Sequence, residues 1–167
     1  KRKTRFLAEH PLCCFCGGET PSIEIDHLPS RACFDKKNYP ENFEFPTCRA
    51  CNASTSDDEQ AVALFSRMFS NPNAAALPEE IGKYMSGVAN NNIDVFAEMG
   101  RAHGRLGENH QLLKLGDAAH DAFMRVLTRW AKAFHYKETS VIVPADGRIH
   151  VTYYTNANIG GIPPESL

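Results

Sequence analysis

The chain has 167 residues, 43% of them hydrophobic and 23% charged, with ten Phe, five Tyr and one Trp. That is enough apolar bulk for one domain, or one small domain with an appendage, and it excludes a wholly disordered chain. Eighteen Lys and Arg stand against 20 Asp and Glu, a formal net charge of -2. Bulk basicity therefore cannot drive nucleic-acid binding, and any such contact has to come from a local patch. No apolar run reaches the roughly 18 residues of a membrane span.

The chain opens on Lys1-Arg2-Lys3-Thr4-Arg5 with no apolar stretch behind it, which reads as a solvated basic end and not a secretion signal. Residues 6–22 hold a first Cys-x-x-Cys knuckle, with Gly17-Gly18 as its tight turn. Alternation over Ser22 to Leu28 predicts a short strand. Residues 29–41 are polar and turn-rich. Phe43-Glu44-Phe45 predicts a second short strand that Pro46 ends, since proline cannot donate to a ladder. A second knuckle follows, then a capping box in which Ser56 caps and Glu59 reaches back.

The helix it opens carries Ala61, Leu64, Phe65, Met68 and Phe69 at helical spacing and is broken by Asn71-Pro72-Asn73. Pro78 suits the first turn of another helix through Ile81, Tyr84, Met85 and Val88. A further helix is expected from Asp94 to Leu106, then a connector to Gly116. The longest helix runs from Asp117 to about Tyr136, with Ala119, Phe123, Val126, Leu127, Trp130 and Phe134 on one side, a core stripe and not a base-stacking platform. Residues 140–143 and 149–154 flank Ala145-Asp146-Gly147 and predict a terminal hairpin. The tail from Asn156 reads as irregular.

Six cysteines, Cys13, Cys14, Cys16, Cys33, Cys48 and Cys51, all fall in the first third. Cys13/Cys16 and Cys48/Cys51 are two knuckles. Nothing points to a disulfide framework, and no βαβ pattern surrounds them as a redox motif requires. Paired knuckles predict one tetrahedral Zn²⁺ on Cys13, Cys16, Cys48 and Cys51. Reduced cysteines of this kind place the chain in the cytoplasm. Cys14 and Cys33 are left as small buried residues.

Between Cys16 and Cys48 lie 31 residues, more than the roughly 15–20 of a simple zinc ribbon. They contain Asp26-His27-x-Pro29 and Asn42, and the second knuckle runs straight into Asn52 as Cys48-x-x-Cys51-Asn52. In order and spacing, residues 13 to about 55 resemble the HNH nucleases, whose ββα-metal fold is two antiparallel strands, a helix and a bound metal. The final position holds Asn52 where many members have His. The resemblance implies an endonuclease that leaves a 5′-phosphate and a 3′-hydroxyl on DNA.

The residue types suit that chemistry. His27 is the expected general base, because a neutral imidazole takes a proton near neutral pH. Asp26 and Asn52 offer oxygens to Mg²⁺ or Mn²⁺. Adjacent strand residues point to opposite faces, so Asp26 and His27 can converge on one site only where the strand ends and Pro29 bends the chain. Asn42 is expected to tie the loop that orients His27. Arg31, Lys36, Lys37 and Arg49 are candidate phosphate contacts. His103, His110, His120, His135 and His150 are dispersed and carry no site. The expected architecture is α+β: a zinc-bearing ββα-metal core over residues 1–60, then a helical segment with a hairpin over 61–167, sharing a core with the first. The competing reading is a zinc-stabilised nucleic-acid- or protein-binding module whose nuclease site is vestigial.

Overall fold

The computed structural model describes residues 2–34, 39–69, 78–101, 103–105, 111–113 and 116–152. The basic opening is a helix, α1 (Arg2–Glu9), and not an unstructured end; Arg5 and Glu9, one turn apart, form an ion pair at 2.9 Å. Strand β1 (Glu24–His27) pairs antiparallel with β2 (Glu44–Thr47), His27 opposite Glu44 and Asp26 opposite Phe45. Pro46 does not end the second strand; it lies inside it. It has no N–H to lose from a two-stranded ladder, and its free carbonyl accepts from the Cys14 amide at 3.1 Å.

The short helix α2 (Arg49–Ala53) starts on Cys48, and α3 (Ser56–Phe69) follows almost at once. The cap of α3 is one residue earlier than the sequence suggests. Thr55, buried, donates to the Glu59 carboxylate at 3.0 Å, while Ser56 donates to the Asn52 carbonyl. Helices α4 (Pro78–Asn91) and α5 (Ile93–Arg101) come next. The expected helix to Leu106 stops earlier, and β3 (His103–Arg105) pairs with β4 (Gln111–Leu113). Gly104 disfavours helix there.

Helix α6 (Asp117–Thr139) organises the chain. Its N-cap is Gly116, which has no side chain to cap with. Glu98 of α5 supplies the acceptors, taking the amides of Ala118 and Ala119 at 3.0 Å each. Its N-terminal half, with Ala119, Ala122 and Phe123, packs on Ala61, Leu64 and Phe65 of α3 and on Val88 and Val95. Its C-terminal half, with Trp130, Ala133 and Phe134, packs on Cys13, Phe15, Leu28 and Phe45. The cysteine-bearing segment and the helical segment thus bury apolar surface in two clusters joined by one helix, with the aromatic stripe of α6 serving as core.

The expected hairpin does not form within the described residues. After Ser140, which ends α6 in the left-handed conformation, residues 141–152 are extended around one turn at 145–146 and form no strand. Their packing partner is the first knuckle. Ile142 joins the cysteine cluster, and Ala145 comes so close to Gly17 that a Cβ there would sit 2.5 Å from its backbone nitrogen. Residues from 153 onward, and with them the rest of the expected second strand and the tail, lie outside the described residues.

Candidate functional site

The two knuckles converge as their spacing requires. Cys13, Cys16, Cys48 and Cys51 place one sulfur each within 4.8 Å of all the others, and all six cysteines are free thiols. Gly17 and Gly18 turn the first knuckle with φ of 73° and 78°. The second is shaped by α2, whose Cys51 amide points at the Cys48 sulfur, 3.4 Å away. Burial, and then the neighbouring Cys48 and Cys13, push the Cys51 thiol far above its ordinary value. Four crowded thiols cannot all ionise without a cation among them; a divalent ion reverses that, since a coordinating thiol is deprotonated outright. The group therefore fits a metal ion such as Zn²⁺, and four thiolates make a closed, structural site. Cys14, fully buried beside it, stays outside the cluster, its thiol pushed up to about 12 by burial and by Cys13. Cys33 is half-buried and also apart.

β1 ends at His27, and its two faces carry different chemistry. His27 and Glu44, opposite one another, share one face, with Glu44 Oε1 3.4 Å from His27 Nε2. Arg31, one turn beyond, brings Nη2 to 2.5 Å from the same nitrogen. A guanidinium only donates, so the Arg31 contact calls for the neutral ring with Nε2 as acceptor, while the Glu44 carboxylate favours a proton on that nitrogen. Burial first, and Arg31 second, lower the pKa of His27, against an opposing pull from Glu44. Tyr39 stands edge-on to the His27 ring at 5.4 Å and lies beneath the Arg31 guanidinium at 4.3 Å. Arg2 of α1 reaches Glu44 with bonds of 2.9 and 3.0 Å.

The other face turns inward. Asp26 does not join His27 at a common point. Its Oδ2 takes two bonds from Arg129 of α6, at 2.6 and 3.1 Å, and its Oδ1 takes the His27 backbone amide at 2.8 Å. Asn52 turns its amide to Glu24, donating from Nδ2 to Oε2 at 2.7 Å. Arg49, strongly exposed, also lies near Glu24, at 3.7 Å. Asn42 acts through its backbone: it holds φ of 65°, a conformation that suits Asn, and its carbonyl accepts from Lys137 at 2.9 Å. The Leu28 amide, next to His27, is taken by the neighbouring Phe43 carbonyl. Lys36 and Lys37 lie outside the described residues.

Three basic residues that the sequence reading did not place at a site, Arg2, Arg5 and Lys137, line a groove of about 650 Å³ together with His10, Glu44 and Tyr136. His27 is not among its lining residues; Glu44, 3.4 Å from His27, is what the two share. The dense charge of the first five residues was the available sign. Arg129 carried no sign at all, being a lone charge within an apolar helical stripe. Among the described residues no helix is long and apolar enough to cross a membrane. Comparison with models of known protein families, with curated proteins and with solved structures gives no match.

Proposed function

We propose that this chain is a zinc-stabilised endonuclease of the HNH type that hydrolyses phosphodiester bonds in DNA, with His27 as general base. The observation that carries the reading is the half-buried His27 imidazole at the end of β1, its Nε2 within reach of Arg31 and Glu44, the latter also lining a groove with three basic residues. An incoming phosphate draws the Arg31 guanidinium to itself, which frees Nε2 to take a proton from water. The water oxygen attacks phosphorus, the bond to the 3′ oxygen breaks, and that oxygen leaves with the bonding pair and is then protonated. Glu44 is placed to stabilise the imidazolium that forms. Arg2, Arg31 and Lys137 position the phosphate backbone without reading sequence.

The Mg²⁺ or Mn²⁺ expected on Asp26 and Asn52 does not fit these residues as they stand. The Asp26 carboxylate is neutralised by Arg129, and Asn52 faces Glu24. That same observation favours a second reading, a zinc-stabilised nucleic-acid- or protein-binding module. Nicking of supercoiled plasmid, with and without Mg²⁺ or Mn²⁺, separates them: the endonuclease converts it to open circles, and the binding module leaves it intact.

A further inference from the structure

Among the described Lys and Arg residues, Arg129 is the one that is buried, at 5% exposed. A buried guanidinium is costly to desolvate unless it is partnered. Here all three nitrogens have an acceptor. Nε and Nη2 grip Asp26, Nη1 donates to the Cys51 carbonyl at 2.5 Å, the flat face lies 3.8 Å from the Phe15 ring centre, and Glu59 stands 3.9 Å away. The two residues it grips come from different elements and immediately precede the two expected site residues: Asp26 before His27, Cys51 before Asn52. Asp26 passes the constraint on directly, its second oxygen holding the His27 amide.

We infer that Arg129 is the positioning residue of the His27 site, a brace from α6 that fixes the end of β1 against the middle of α2, and that Asp26 is the anchor of this brace and not a metal ligand. The inference rests on the reading of His27 as general base for its kinetic consequence, and on geometry alone for its structural one. A rigid fork is required, since one ammonium cannot span a carboxylate and a carbonyl on separate elements in the same geometry. It also makes the helical segment part of the site through Asp26, beyond the backbone contact proposed for Lys137.

The test uses the full chain, zinc-loaded, as wild type, Arg129→Lys, Asp26→Asn, and the double variant Arg129→Met with Asp26→Leu, which replaces the ion pair by apolar bulk and so keeps the fold. The double variant should retain one zinc per chain and melt close to wild type. Its ¹H–¹⁵N spectrum should show the His27 and Asn52 amides displaced. Its nicking turnover should fall about 100-fold, the usual cost of misplacing a reacting group by about 1 Å, at unchanged DNA affinity. Arg129→Lys should recover part of that turnover. Wild type and Asp26→Asn should bind Mn²⁺ alike. Unmoved His27 and Asn52 amides, undiminished turnover, or Mn²⁺ binding lost in Asp26→Asn overturns the inference. Should the double variant not fold, the same amides in Arg129→Lys decide. Absence of nicking by wild type refutes the function and leaves the amide displacements to judge the brace.

Discussion

His27 and Glu59 are both pulled from their ordinary titration by burial, and in opposite senses for the pH dependence they impose. The folded state holds His27 below its usual value, so the folded chain binds that proton less readily than the unfolded one. Stability from this group is present above the ordinary imidazole value of about 6.5 and is lost as pH falls below it. The base form also persists to lower pH, so the cleavage rate should be half-maximal below about 6.5; a midpoint above that value would contradict the environment described. Burial, and then Asp26, push Glu59 up to about 7, against the Thr55 hydroxyl and Arg129. Here the folded state keeps a proton that an unfolded glutamate gives up near 4.3. Stability should therefore decline as pH rises from about 4.3 to 7 and level off beyond. Glu59→Gln should flatten that decline in urea midpoints measured across the range; an unchanged slope would assign it to another group.

The elements divide by whether their cause is local. The knuckles, β1, α3 and α4 were legible because spacing, alternation and helical stripes are local signals. The pairing of β1 with β2 was legible in outline, but the place of Pro46 was not, because an edge tolerates a proline that a central strand does not. The terminal hairpin failed for a tertiary reason: Ile142 and Ala145 find the first knuckle before residues 149–152 can pair with them. The four cysteines of the site were legible from spacing, whereas the direction in which Asp26 turns depended on an arginine 103 residues away. The close approach of Ala145 also makes the first knuckle intolerant of bulk. Gly17→Ala, at positive φ and with no room for a Cβ, should cost more than about 1 kcal/mol in thermal or urea unfolding. Wild-type stability in this variant would mean that residues 141–146 do not pack there.

At the scale of the molecule, one helix joins two apolar clusters, and one of them contains the four cysteines that could hold a metal. Four-thiolate zinc contributes on the order of 10–16 kcal/mol in small finger peptides, as much as the roughly 5–15 kcal/mol by which a whole domain is stable. Cys48→Ser should therefore lose zinc by elemental analysis and lose the fold around Cys13, Phe15 and Phe45 with it. A variant that stays folded without metal would assign the cluster a lesser role. In the proposed account, zinc keeps the frame, Arg129 sets the spacing within it, and His27 acts on the substrate. That account is tested most directly by plasmid nicking with wild type and His27→Ala, matched for zinc content and for DNA affinity. Wild type should nick, and His27→Ala should be slower by about 10²–10⁴-fold with both matches intact. Equal nicking by the two proteins, or none by wild type in any divalent-metal buffer, would contradict it.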